Sequence, residues 1–148
     1  MSEHHATIAW KRATPDFEYD TYNRAHDWSF DAGVTVPGSS APEFKGETNR
    51  VDPEEALVAS LSSCHMLTFL AICARKRLVV DSYVDEAVGV MTKNNKGKLW
   101  ISKVTLRPKI AFSGKQPTAE EIEHLHHASH ENCFIANSVL TEIVVEPA

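Results

Sequence analysis

Cysteine is scarce in this chain and comes in an odd number: Cys64, Cys73 and Cys133 in 148 residues, with no Cys-x-x-Cys spacing. That argues against a secreted disulfide scaffold and against a zinc ribbon, and it fits a reducing compartment. Cys64 and Cys73 are nine residues apart in a helical stretch. At about 100° per residue they fall on opposite faces, so if Cys64 has a partner it is Cys133. Long runs of like charge are also missing. The formal net charge is −5, acidic and basic residues are interspersed, and no basic stripe exists to follow a phosphate backbone, so nucleic acid is not an expected partner. The opening Met1-Ser-Glu-His-His-Ala lacks the basic and apolar regions of a signal peptide. The run from Ala56 to Ala74 is interrupted by Ser60, Ser62, Ser63, His65 and Thr68, too polar for a bilayer span. A soluble, cytoplasmic protein with no membrane segment is expected. Internal repeats and low-complexity segments are absent, and the length suits a single domain over residues 1–148.

What is present alternates between strand and helix signals. His5 to Arg12 and Trp28 to Ala32 are rich in β-formers and read as two early strands. Val36 to Arg50, with two prolines, two glycines and paired serines, has the composition of a site-lining loop. Asp52-Pro53-Glu54-Glu55 is a helix start, with a capping acid, proline at the first helical position and carboxylates at the positive end of the dipole. The helix it opens is expected to be buried and to run to about Lys76. Val79 to Thr92 and Leu99 to Phe112 flank Asn94-Asn-Lys-Gly97, which predicts a long antiparallel hairpin, with Pro108 marking a bulge or an edge. Thr118-Ala-Glu-Glu121 predicts a capped helix to about Ser129, and Leu140 to Glu146 a last strand. The fold class is α+β, antiparallel sheets packed on a long central helix.

Cys64 lies inside the most apolar stretch and is either inert filler or a protected nucleophile. Burial alone raises a thiol pKa, so reactivity requires a nearby cation. Arg24, in Tyr22-Asn-Arg-Ala-His26, is a candidate, and Glu54 at the mouth of the helix is a candidate to hold its guanidinium in a bidentate pair. The same two residues also read as ordinary solvated charges. Cys133 is either a small core residue or a resolving thiol, and Cys73 reads as filler. Ser60, Ser62 and Ser63 stand in no Gly-x-Ser-x-Gly elbow and read as small packing residues. A rival constellation is His124-Leu-His126-His127-Ala-Ser-His130-Glu-Asn-Cys133. His126, His130 and Cys133 share a helical face and would form a metal site, or else part of a solvated histidine-rich surface.

Tyr22-Asn-Arg-Ala-His26, Pro53-Glu54 followed by Ser62-Ser-Cys64-His-Met-Leu, and His130-Glu-Asn-Cys133 with Asn137-Ser138 together resemble the OsmC/Ohr proteins, which include the organic hydroperoxide resistance proteins. The resemblance spans nearly the whole chain. It implies an OsmC-like fold, an intertwined homodimer with active sites at the subunit interface, and thiol peroxidase chemistry in response to oxidative stress. Carried over by position, it makes Cys64 the peroxidatic cysteine, Cys133 the resolving cysteine, Arg24 the thiolate-stabilising cation and Glu54 its anchor. It implies an organic hydroperoxide as substrate, a thiol or dihydrolipoyl group as reductant, and neither a metal nor a bound cofactor. A pocket of Met66, Leu67 and Phe134 would hold the hydrocarbon body. Two departures are visible: much of the family has proline after the second cysteine where this chain has Phe134 and Ile135, and Trp28, Phe30 and Ser39-Ser40 point to an OsmC-like branch other than the Ohr type. The alternative is a non-catalytic protein of the same fold that binds an apolar or electrophilic ligand.

Overall fold

The computed structural model describes all residues, Met1–Ala148, and they group into two compact units, Met1–Ala56 and Leu57–Ala148. In the first, β1 (Thr7–Ala9), β2 (His26–Ser29) and β3 (Thr35–Gly38) form an antiparallel sheet in that order. Strand β3 takes in Val36 to Gly38, the start of the stretch with loop composition. Pro37 is tolerated because β3 is an edge strand, where a missing N–H interrupts nothing. Gly38 is required there: a Cβ would run into the rings of Trp28 and His26. The long β1–β2 connection is held by Asn23, whose side-chain amide donates to the Lys11 carbonyl at 2.9 Å and accepts from the Ala13 N–H at 2.8 Å. Ser39, fully buried, ties the following loop through its N–H to the Val51 carbonyl (3.0 Å) and its hydroxyl to the Glu47 N–H (3.0 Å).

Helix α1, Pro53–Arg75, opens at the end of this unit with a reciprocal cap. The Glu55 N–H donates to Asp52 Oδ1 at 2.8 Å, and the Asp52 N–H donates to Glu55 Oε1 at 3.2 Å. Its stop one residue before Lys76 agrees with expectation, and it enters the core through one face. Only Leu61, His65, Phe69 and Cys73, spaced by one turn, are buried, whereas Ala59, Ser63, Leu67 and Ala71 form an equally regular exposed stripe. Both stripes are free of charge, so periodicity had no polar face with which to orient the helix. By length and composition α1 would suit a bilayer, yet its Leu61 to Cys73 stripe is the core of the second unit.

The expected hairpin forms with a break in it. Strands β5 (Val88–Lys93) and β6 (Leu99–Leu106) pair across a tight turn in which Asn94 Oδ1 accepts from the N–H groups of Lys96 and Lys98, both at 2.9 Å, and Gly97 takes φ +73°. Farther from the turn, β4 (Val79–Asp85) and β7 (Pro108–Ser113) make a separate two-stranded sheet. Pro108 is where the pairing is interrupted, and there the Arg107 N–H donates to Asp85 Oδ1 at 2.6 Å instead of to a strand. Helix α2, Ala119–Asn132, starts at Thr118, whose hydroxyl accepts the Glu121 N–H at 3.1 Å. It carries the chain back so that β8 (Glu142–Val145) pairs with β6 in parallel, a departure from the all-antiparallel expectation that a crossover helix permits. One cluster, Phe69, Cys73, Leu78 and Leu125, packs α1 and α2 on β4 and β7. A second, Leu61, Val104 and Leu106, packs α1 on β6 and β8.

Candidate active site

The four residues singled out from the sequence fall into two groups, one in each unit. In Leu57–Ala148 the two thiols adjoin. Cys64 is half-buried, Cys133 is 1% exposed, and both are free. Burial pushes the Cys133 thiol above its ordinary pKa, and the neighbouring Cys64 pushes the same way by hydrogen bonding and by charge. The backbone N–H of Ala136, which points at the Cys133 sulfur at 3.4 Å, works against that shift. Cys133 caps α2, its N–H reaching the His130 carbonyl at 3.4 Å. The pair is thus asymmetric: Cys133 is held in its protonated form, and Cys64 is the more accessible sulfur. Cys73 is buried four residues past Phe69 in the cluster with Leu78 and Leu125, with its pKa raised by burial.

In Met1–Ala56, Arg24 and Glu54 both line one cavity of about 500 Å³, walled by Ile8, Trp10, Phe17 and Tyr22. They do not form the bidentate pair anticipated from the sequence. The Arg24 guanidinium donates to the carbonyls of Tyr19 and Tyr22, each at 2.6 Å, and lies over the Tyr22 ring at 3.6 Å from its centroid. The Arg24 backbone is fixed as well, since the His26 Nδ1–H donates to its carbonyl at 2.7 Å while His26 Nε2 accepts the Trp28 indole N–H at 2.8 Å. Glu54 is left with Oε2 buried and unpartnered. Burial holds its carboxyl above the usual range, and the neighbouring carboxylates of Asp52 and Glu43 add to the effect. The pair fails to close because two carbonyls and an aromatic face already satisfy the guanidinium.

The rival metal face does not assemble either. His124 and His127 are exposed and lie near Glu120 (4.0 Å) and Glu131 (3.2 Å). His126 turns inward to meet His65, Nε2 of one ring 3.0 Å from Nδ1 of the other. No three His, Cys, Asp or Glu side chains converge in a ligating arrangement. Of this buried imidazole pair the sequence offered only a partial signal, His65 standing one turn from Leu61 and from Phe69 on the buried stripe. The anticipated apolar pocket is not closed in the isolated chain, where Leu67 is 60% and Phe134 81% exposed.

Residues 46–148 match the family model described as OsmC-like protein. Over the full length of both chains the fold is similar to that of an OsmC-like protein of unknown function from Vibrio cholerae, with 51% identity and a TM-score of 0.96. It is also similar to the organic hydroperoxide resistance protein OhrB of Bacillus subtilis (19% identity, 99% of this chain and 98% of that one, TM-score 0.73). A further likeness is to an organic hydroperoxide resistance protein from Elizabethkingia anophelis (17%, 99% and 94%, TM-score 0.74). No curated protein matches the sequence.

Proposed function

The chain belongs to the OsmC-like family, and from that premise we propose that it is a thiol peroxidase reducing organic hydroperoxides. The observation that carries this reading is the adjoining, asymmetric pair of Cys64 and Cys133. The Cys64 thiolate attacks the distal peroxide oxygen, the O–O bond breaks, and the alkoxide leaves and takes up a proton as the alcohol. Cys64 is then a sulfenic acid, with which the Cys133 thiol condenses, forming the disulfide and releasing water. An external dithiol such as a dihydrolipoyl group returns two electrons and two protons. Arg24 is assigned as the cation that favours the Cys64 thiolate and Glu54 as its anchor. In that assignment the anchor engages only when the guanidinium leaves the carbonyls of Tyr19 and Tyr22.

The proposal extends to one OsmC-like domain that works in the cytoplasm as a homodimer. The uncharged stripe Ala59, Ser63, Leu67 and Ala71 and the exposed Phe134 and Leu140 support the dimer as surface that a second copy would cover. Sedimentation at twice 16.5 kDa is the expected result, and a single-chain mass removes the dimer from the proposal.

The catalytic reading is tested by cumene hydroperoxide turnover and thiol mass spectrometry. Cys64→Ser abolishes turnover, whereas Cys133→Ser leaves a Cys64 sulfenic acid that dimedone traps. Wild-type turnover in Cys64→Ser would remove the assignment, and thiols inert to a tenfold excess of peroxide would favour the ligand-binding alternative.

A further inference from the structure

Two buried histidines take no part in the chemistry above. His65 is 1% and His126 4% exposed, and their rings are nearly parallel, 13° apart. The His126 ring also stacks on Phe69, centroids 4.6 Å apart. Both imidazoles are lowered to about 4, chiefly by burial, with His126 and His130 adding to the effect at His65 and Asp85 opposing it at His126. At neutral pH the pair is therefore uncharged, with one ring donating to the other across 3.0 Å.

Their placement along the helices is informative. Cys64 meets Cys133, His65 meets His126, and Phe69 and Cys73 cluster with Leu125, so numbers that rise along α1 fall along α2. The helices run antiparallel, and the imidazole bond ties His65 of α1 directly to His126 of α2. On α1 it is next to the nucleophile, since His65 follows Cys64, and on α2 His126 lies two turns before the Cys133 cap. Stability alone does not account for it. His126 Nε2 and His130 Nδ1 are buried without partners, a cost that apolar side chains of the same size would avoid. What a directional bond adds to apolar packing is register, since it is broken by a shift that greasy side chains tolerate.

We propose that His65 and His126 are positioning residues, an imidazole clamp that locks α1 against α2 and holds the Cys133 thiol at closing distance from Cys64. The clamp rests on the peroxidase reading for its use in turnover, but its effect on the thiol pair does not depend on peroxide. In a glutathione equilibrium the two thiols give up two electrons and two protons to one glutathione disulfide, which yields two glutathiones. The position of that balance reports how well the thiols are juxtaposed.

The test compares His126→Phe, which keeps the stack on Phe69 and removes the bond, with His126→Asn, whose amide stands where Nδ1 stood. His126→Phe is expected to lower the effective concentration of the Cys64–Cys133 pair against glutathione at least tenfold, and His126→Asn to restore it to within threefold of wild type. Equal values for His126→Phe and wild type overturn the clamp, as does an Asn variant as impaired as Phe, because packing rather than the bond would then be at work. If His126→Phe does not fold, His65→Leu and His65→Gln repeat the comparison from the other ring. With peroxide, the clamp predicts that His126→Phe slows disulfide closure at least tenfold more than it slows the oxidation of Cys64. A protein inert to peroxide but responsive to these variants in glutathione would overturn the catalytic reading and leave the clamp standing. The reverse pattern would do the opposite.

Discussion

The units Met1–Ala56 and Leu57–Ala148 are held together by different means. The first buries Gly38, Ser39, Ala41 and Asp52 and no large apolar side chain, while Phe17 and Tyr19 remain 67% exposed. Its loops are tied by polar side chains to backbone: Asn23 to Lys11 and Ala13, Arg24 to Tyr19 and Tyr22, and the Arg50 guanidinium to the His26 carbonyl at 3.0 Å. The second packs Leu61, Phe69, Val104, Leu106 and Leu125 to near-complete exclusion of water. Close packing leaves little freedom to the side chains beside it, and the two thiols are placed by it. Hydrogen bonds from a charged guanidinium to loop carbonyls are each worth about 1.5–3 kcal/mol, so Arg24 is held by local polar contacts rather than by a packed core.

The largest expected break of this contrast is Phe69→Ala. Removing a ring that is fully buried and stacked on His126 is expected to cost about 3–5 kcal/mol in urea denaturation. A loss below about 1 kcal/mol would show that the second unit does not depend on its core. Next comes acid. His65 and His126 are lowered to about 4, whereas in the unfolded chain they protonate near 6.5. Between those values the unfolded chain binds more protons, so stability is fully present above pH 6.5 and falls as the pH drops toward 4, by about 1.4 kcal/mol per unit for each group at most. Glu54, its carboxyl held above the usual range, contributes in the opposite sense in the first unit. Urea midpoints at pH 7 and pH 5 should differ clearly in the wild type and less in the His65→Gln/His126→Asn double variant, and equal slopes would discard the assignment. Smallest is Trp10→Ala. Its ring is 43% exposed and meets Phe17 and Tyr22 at centroid distances of 5.9 and 6.2 Å, so about 1 kcal/mol is expected. A thermal shift larger than that of Phe69→Ala would invert the comparison.

How much was legible follows the same division. Capping chemistry at Asp52 and Thr118, the Asn94 to Gly97 turn and the β-rich runs after Val79 are local signals, and the elements appear where those signals lie. Strand β3 was hidden because Pro37 and Gly38 read as loop, and only the neighbouring strand makes them an edge. That Cys133 is the candidate partner of Cys64 was reachable by eliminating Cys73, which the opposite faces of one helix made possible. The grip of Tyr19 and Tyr22 on Arg24 was not, because main-chain carbonyls are common to every residue and leave no trace in composition. The inward turn of His126 was equally hidden, since four histidines between His124 and His130 look alike until one of them finds His65.

The sequence by itself determined the order of elements, the opposite helical faces of Cys64 and Cys73 and the candidates for charge, because these depend on period, caps and residue type. The tertiary structure decided which of two uncharged stripes of α1 became core, where the Arg24 guanidinium rests, and that two histidines are buried as a neutral pair. Those outcomes depend on which surfaces meet and which hydrogen-bonding groups are already taken, quantities that exist only once the chain has closed on itself.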